Sequence, residues 1–395
     1  MPDINKMSGN TAQVSPSGKP VEGDLGWRGN FYKTAAPGLI MGMTLGDLTK
    51  LLAENGEDVP VRYWPKVAFA GTLSLLTTPV RRVEDALLGR RVAEQRVEKP
   101  LFIIGHWRSG TTHLHNLISV DRRFAFANFS QIMIPHTFLL GERVASAGSA
   151  AFLPAERMGV DHVAMNTQVP WEEEFALCQT TQMSPYMSWL FPRRADYYDR
   201  YVTFRDVPAA DVDRWKRAFV KLLKKLAWKN QRPLVLKSPP HTGRIRLILE
   251  MFPDARFVHI HRDPYVVYRS TTRLHQKCTE LYSLQDPDDQ AIHDRVVRQY
   301  AAMFEAFFEE RSLIPAGQFC EVSYAALDSD PIGTVRRIYD ELALPDFSGV
   351  EAHMQAYLGS LAGYEKNRHA ELSADVRFEL SRTWRRSFEE WGYAL

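Results

Sequence analysis

The sequence predicts an α/β fold in which helices cover both faces of a central, mainly parallel sheet. Four short apolar runs, residues 101–104, 234–236, 257–260 and 319–322, alternate with helix-like segments. A polar or charged side chain follows each run: Arg108 in the loop after the first, Lys237 at the end of the second, Arg262 after the third and Tyr324 after the fourth. Because parallel strands end at one edge of a sheet, we expect these side chains to form a common ligand site.

Composition restricts the class of protein. The chain has 395 residues, of which 45% are hydrophobic, so it is long enough to bury a large core. Lys plus Arg total 49 and Asp plus Glu 47, a formal net charge of +2, which argues against a nucleic-acid-binding protein. Cys178, Cys278 and Cys320 are too scattered for a disulfide framework or a zinc site. We expect buried thiols in a cytoplasmic protein.

Three regions are predicted along the chain. Residues 1–30 are polar and rich in Gly, Ser, Pro and Asn, which indicates a disordered tail without a signal peptide. Residues 31–97 form a helical extension, whose apolar segments 39–52 and 67–76 pack on the main domain or dock on a membrane surface. Segment 67–80 is shorter than the ~20 residues of a spanning helix. Residues 98–395 form the main domain, with a helical insertion at about residues 129–230.

The first strand leads into a phosphate-binding type of loop, from Gly105 to Thr112. Leu114, Leu117 and Ile118 follow at helical spacing, so backbone N–H groups of the first helical turn should face a bound anion. Gly105 and Gly110 have P-loop spacing, but Thr111 stands where nucleoside-triphosphate enzymes have lysine. Arg108 and Ser109 supply a cation and a hydroxyl instead. The fold is therefore expected to be a P-loop-like three-layer sandwich.

Residues 232–270 contain the next group of candidate functional residues. Pro239 and Pro240 form a rigid turn after Lys237 and thus hold that lysine at a strand end. Arg262 is followed by an N-cap aspartate and a proline, so Ser270 should lie two turns along the next helix. An arginine and a serine placed in this way can bind a second phosphate.

These motifs together resemble the sulfotransferase superfamily, which transfers a sulfonate from 3′-phosphoadenosine 5′-phosphosulfate (PAPS). The matching residues are Arg108, Ser109, Gly110, Thr111 and Thr112 in the 5′-phosphosulfate loop, Lys237 as the catalytic lysine, Arg262 and Ser270 at the 3′-phosphate, and Tyr324 near the adenine. The resemblance covers about residues 98–345 and is greatest to a bacterial branch that is similar to mycobacterial sulfotransferases, some of which act on lipid or isoprenoid alcohols. It implies PAPS as the donor and no metal.

Two family features are absent. Cytosolic phenol and steroid sulfotransferases have a histidine base two residues after the catalytic lysine, where this chain has Pro239. Their C-terminal GxxGxxK loop is also missing, and Lys366 and Arg368 form a basic cluster that either closes over the 3′-phosphate or lies in a solvated tail.

Another group must then accept the acceptor's proton. Glu172, Glu173 and Glu174 are the first candidates, with one of them expected to point inward, and His241 is the second. A run of acidic residues at a helix start is also common without any catalytic role.

The acceptor is expected to be a small, hydrophobic or lipid-like alcohol. Residues 183–204 are rich in aromatic side chains, which line an acceptor channel or pack a helical cap. His259 and His261 share one strand face and are expected to pack together instead of binding a metal. The rival functions are a P-loop kinase and a non-catalytic nucleotide- or lipid-binding protein. Peripheral membrane contact and oligomeric state stay open.

Overall fold

The computed structural model describes residue 34 and residues 38–150, 166–286, 289–361 and 371–395. Its sheet has four strands: β1 (Leu101–Ile104), β2 (Val235–Lys237), β3 (Arg256–His261) and β4 (Phe319–Ser323). Every pairing is parallel, and the spatial order is β2-β1-β3-β4. The four predicted strands are confirmed, each to within one residue at either end.

The α-helices, in chain order, surround this sheet. They are α1 (Leu45–Asn55), α2 (Trp64–Glu94), α3 (Thr111–Ser119), α4 (Phe129–Met133), α5 (Phe138–Ala150), α6 (Glu174–Thr181), α7 (Met187–Leu190), α8 (Ala195–Asp199), α9 (Ala209–Asn230), α10 (Ile245–Met251), α11 (Pro264–Tyr282), α12 (Asp289–Glu310), α13 (Tyr324–Ser329), α14 (Pro331–Glu341), α15 (Ser348–Ser360), α16 (Ala374–Thr383) and α17 (Arg385–Trp391). Residues Pro239–Gly243 form a 3₁₀ turn between β2 and α10.

The sheet separates two hydrophobic cores. Successive side chains of a strand point to opposite faces, so Phe102 and Ile104 enter one core while Leu101 and Ile103 enter the other. Helices α3, α14 and α15 cover the smaller core, and the larger core extends under α9, α11, α12 and the N-terminal helices. This arrangement confirms the three-layer α/β sandwich.

The N-terminal region packs on the larger core but differs from its prediction in helix length. Helix α2 runs for 31 residues and passes through Pro79, whereas the sequence predicted a helix over residues 67–76 only. Helix α1 starts at Leu45, after a 3₁₀ turn, with a capping box between Thr44 and Asp47. The predicted disordered tail, residues 1–30, lies outside the described residues, and the proposed division into regions stays a prediction.

The loop after β1 needs both of its glycines. Gly105 has φ +145° and Gly110 has φ +102°, conformations that L-residues with side chains rarely adopt. A Cβ on Gly105 would overlap the carbonyl oxygen of Ile260 in the neighbouring strand, and one on Gly110 would overlap the ring of Tyr324. The loop thus lies tightly between β3 and the start of α13.

Candidate active site

The loop from Gly105 to Thr112 is held by its own backbone and by the segment after β2. The Ser109 hydroxyl donates to the carbonyl of His106 at 2.7 Å, and the Gly105 N–H donates to the Thr242 hydroxyl at 2.7 Å. Helix α3 begins at Thr111, so the N–H groups of its first turn face the loop interior. A loop shaped in this way provides an anion site at a helix N-terminus.

Arginine side chains from different segments meet beside this loop. Arg108 Nε donates to the Ser270 hydroxyl at 2.8 Å, and Arg262 donates to the carbonyl of Arg108 at 3.2 Å. The Arg262 guanidinium lies 4.0 Å from the centroid of the Tyr324 ring. Burial lowers the pKa of Arg262, and the positive charge of Arg108 acts in the same direction. An anion bound here would relieve the repulsion between the guanidinium groups.

Lys237 lies at the end of β2 with only 2% of its surface exposed. Its ammonium group donates to the Thr112 hydroxyl at 3.3 Å and forms a short ion pair with Glu172. The lysine therefore connects the phosphate loop to the acidic segment before α6.

The acidic segment, residues 172–174, pairs residue by residue with basic side chains of residues 237–244. Glu172 pairs with Lys237, and Glu173 accepts a hydrogen bond from His241 Nε2 at 2.7 Å. The last pair in this register is bidentate: Arg244 donates to both Glu174 oxygens at 2.7 and 2.9 Å. Each glutamate is buried. The expectation that only one of them points inward is wrong, because each carboxylate has a partner on the same facing segment.

Glu172 is the glutamate that lies beside Lys237, and its second oxygen accepts a hydrogen bond from the Tyr186 hydroxyl. Trp107 Nε1 donates to the same hydroxyl at 3.1 Å. Burial raises the pKa of Tyr186 well above its usual range, and the Glu172 carboxylate adds to this shift. Tyr186 is therefore a neutral donor that fixes the position of Glu172.

His241 lies deeper than Glu172. Its ring packs edge-on against Phe102 and at 5.1 Å from the ring of Phe219, inside the larger core. Glu173 links it to β2, because the other Glu173 oxygen accepts the backbone N–H of Lys237 at 3.2 Å. In this position His241 orients Glu173, and through it the end of the strand.

Sequence reasoning missed several side chains of the site. Tyr186 was considered only as one of the aromatic residues of segment 183–204, which line an acceptor channel or pack a helical cap. Trp107, Arg244 and Thr242 were given no role in the site. His115 on α3 was also missed; burial lowers its pKa well below the usual range, and the positive charge of Lys237 adds to the shift. The sequence marks Tyr186 and Trp107 only as aromatic residues beside apolar ones. Ordinary core residues show the same pattern, so the pattern does not identify members of the site.

Other predicted features lie away from the site or outside the described residues. Lys366 and Arg368 belong to the part of the chain that is not described. Most of the aromatic segment 183–204 packs in the larger core, and some of its tyrosines line a separate cavity of about 210 Å³ that no candidate site residue lines. The ring of His261 stacks on Trp391, and the ring of His259 stacks on Phe307 and on His261. The described residues contain no group of three or more side chains that could hold a metal ion.

Comparison with known proteins assigns the chain to a class. Residues 100–348 match the model of the "Sulfotransferase family", which spans more than half of the chain. The chain therefore belongs to this family and is a PAPS-dependent sulfotransferase. It is 33% identical over 360 residues to omega-hydroxy-beta-dihydromenaquinone-9 sulfotransferase Stf3 of Mycobacterium bovis and of Mycobacterium tuberculosis, with 91% of this chain and 92% of the relative covered.

Solved structures show the same fold. Sulfotransferase STF1 of Mycobacterium tuberculosis H37Rv superposes with a TM-score of 0.60 at 22% identity, over 79% of this chain and 85% of that one. Sulfotransferase STF9 of Mycobacterium avium gives a TM-score of 0.59 at 23% identity, over 88% and 96% of the two chains. The predicted fold class and the predicted family are confirmed.

The buried pair Arg244–Glu174 yields a stability prediction. Arg244→Gln leaves the Glu174 carboxylate buried without its cation, so we expect the free energy of unfolding to fall by about 3–5 kcal/mol. Urea denaturation followed by circular dichroism measures the change. Arg298→Gln is the matched control, because Arg298 pairs with Asp196 on the surface and should cost less than about 1 kcal/mol. Equal losses in both variants would contradict the assigned role.

Proposed function

We propose that this enzyme transfers the sulfonate of PAPS to the hydroxyl of a lipid-like alcohol, with Lys237 and Glu172 at the reacting centre. The observation that carries this proposal is the contact of the Lys237 ammonium with both Thr112 of the phosphate loop and the Glu172 carboxylate. A cation that can stabilise a leaving phosphate and a carboxylate that can accept a proton thus meet at one point.

The residues present fit the donor. The glycine loop and the start of α3 suit its 5′-phosphosulfate, and Arg108, Arg262 and Ser270 suit its 3′-phosphate. The ring of Tyr324, with Arg262 stacked on it, offers a surface for the adenine. When bound, PAPS supplies the activated sulfonate. A triphosphate would instead call for the loop lysine, and Thr111 occupies that position.

The side chains of the site have two proposed tasks: one accepts a proton from the acceptor, and the others stabilise negative charge on the leaving group. Glu172 accepts the proton of the acceptor hydroxyl as the new sulfur–oxygen bond forms. Lys237, the Thr112 hydroxyl and the loop N–H groups stabilise the negative charge that develops on the 5′-phosphate as the old sulfur–oxygen bond breaks. Tyr186 keeps Glu172 in position throughout. No step in this scheme needs a metal.

Glu172 is a better base than the other candidates for a geometric reason. Glu173 and Glu174 are fully buried, and each is held by its own partner, His241 or Arg244. His241 is itself fully buried in the core. Glu172 retains some exposure and adjoins the lysine, so an acceptor hydroxyl can approach it.

The acceptor class rests on the relative with 33% identity, whose name states a hydroxylated menaquinone derivative as its substrate. The near-complete overlap of the two chains supports a lipid-like alcohol here. Cys178, Cys278 and Cys320 are buried free thiols, as predicted, which supports a reducing, cytoplasmic setting. No helix in the described part of the chain is long and apolar enough to cross a bilayer. We propose contact with a membrane surface, where such an acceptor resides.

Donor specificity can be tested by ligand-induced stabilisation. 3′,5′-Adenosine bisphosphate without Mg²⁺ should stabilise the protein by about 2.7 kcal/mol at a hundredfold excess over its Kd, because it fills both phosphate positions. The measurement is thermal denaturation, with Mg-ATP as the comparison. Equal stabilisation by Mg-ATP would favour the kinase alternative and contradict the donor assignment.

Lys237 is tested by its removal. Lys237→Ala should lower the rate of sulfonate transfer by about 10²–10³, because charge on the leaving phosphate loses its main cation. Transfer is measured with labelled PAPS against a panel of lipid, steroid, phenolic and sugar alcohols. The control is Lys277→Ala, which removes a lysine that pairs with Glu280 on the surface of α11. Retained transfer by Lys237→Ala with an intact fold would rule out its role.

The base is tested with a neutral isostere. Glu172→Gln should reduce the transfer rate by about 10²–10⁴ while 3′,5′-adenosine bisphosphate still stabilises the variant, since only proton acceptance is lost. Glu173→Gln serves as the matched change at the neighbouring position. If Glu172→Gln transfers normally and His241→Ala does not, although both still bind the bisphosphate, histidine is the base.

A further inference from the structure

Helix α2 has an apolar face that is not buried. Phe69, Leu76, Val80, Val83 and Leu87 follow one another at spacings of seven, four, three and four residues, which places them on one side of the helix. All are exposed, with 65% of Leu76 and 64% of Leu87 accessible. We call these five residues the apolar stripe.

The opposite side of α2 fixes the orientation of the stripe. The Ser74 hydroxyl donates to the carbonyl of Met43 at 2.8 Å, and Lys66 donates to the carbonyl of Leu281 at 2.9 Å. Further along, Glu84 forms a buried ion pair of 2.6 Å with Lys225 of α9. These contacts anchor the helix through the opposite face, so the stripe points outward.

The surroundings of the stripe are basic at its C-terminal end. Arg90 and Arg91 follow Leu87 by three and four residues, so they continue the same side of the helix, and both are exposed. Arg90 also pairs with Glu94 at 3.0 Å. Apolar side chains flanked by arginine are typical of helices that lie in a membrane interface.

The neighbouring helix α5 presents further apolar and basic side chains close to α2. The N–H of Leu140 donates to Glu84 at 3.0 Å, which places the start of α5 beside α2. Leu140 and Val144 are exposed on α5, and Arg143 between them is exposed as well. The repeated combination of apolar side chains with arginine favours a surface that is both hydrocarbon and anionic.

We propose that the apolar stripe, with Arg90 and Arg91, binds the surface of an anionic lipid bilayer and so brings the enzyme to a membrane-resident acceptor. This inference rests on the proposed lipid-like acceptor. A bilayer accepts a single projecting ridge without a matching groove, and its acidic headgroups complement the arginines. A second copy of the chain would instead bring the same arginines toward one another or require a groove.

Vesicle flotation with the full chain tests the surface. We use vesicles of phosphatidylcholine alone and of equal parts phosphatidylcholine and phosphatidylglycerol. The protein should float with the anionic vesicles, less so at high salt. The double variant Leu76→Ser and Leu87→Ser should lower partitioning by more than about tenfold, because two apolar side chains no longer enter the hydrocarbon. Leu75→Ser, which removes an equally exposed leucine outside the stripe, should have less than a twofold effect.

Further measurements test the role of the arginines and distinguish membrane binding from dimer formation. Arg90→Gln with Arg91→Gln should weaken the preference for anionic vesicles. Absence of vesicle binding by the unchanged protein, or a concentration-dependent dimer that the double leucine variant loses, would overturn the proposal. Turnover of a short-chain, water-soluble alcohol is measured in parallel and should be equal in all these variants. If the unchanged protein does not turn over any alcohol, the proposed function is refuted. If it turns over alcohols but does not float with the vesicles, only the membrane-binding surface is refuted.

Discussion

The register between the acidic segment and the segment after β2 is the constraint on which the site depends. Glu172, Glu173 and Glu174 each meet a cation or imidazole of residues 237–244, in the order of the chain. Buried carboxylates are costly unless each is paired and hydrogen-bonded. A shift by one residue in either segment would leave at least one charge buried alone, so the pairing locks the helical insertion onto the end of β2.

This register also explains how a short strand positions Lys237, the proposed catalytic lysine. β2 has only three residues, and Lys237 is the last of them. Its backbone N–H is fixed by Glu173 and its ammonium group by Glu172 and Thr112. Pro239 and Pro240, which form part of the 3₁₀ turn, stiffen the connection to His241. The strand end is thus defined by side-chain contacts from three different parts of the chain.

The sequence was sufficient to predict the sheet and the grouping of Arg108, Arg262, Ser270 and Tyr324 around the phosphate-type loop, because those residues are linked to local signals. Each of these signals predicts the structure of the few residues around it: apolar runs predict strands, glycines with P-loop spacing predict a tight turn, and an N-cap before a proline predicts a helix start. The acceptor side was not predictable in the same way. Tyr186 reaches Glu172 across 14 positions and Arg244 reaches Glu174 across 70, and nothing in their local sequence distinguishes them from packing residues. The acidic residues 172–174 are another example. Helix geometry alone predicted that only one of them points inward, but pairing with distant residues buries all three.

The resting contact between Lys237 and Glu172 has a kinetic consequence. The carboxylate oxygen that holds the ammonium group is a weaker acceptor for a hydroxyl proton, because the nearby positive charge stabilises the carboxylate. A phosphosulfate in the loop competes for the ammonium and thereby frees the carboxylate. With Glu172 as the proposed base, the geometry favours ordered entry, in which the nucleotide binds before the alcohol, and it keeps that carboxylate paired whenever there is no sulfonate to transfer.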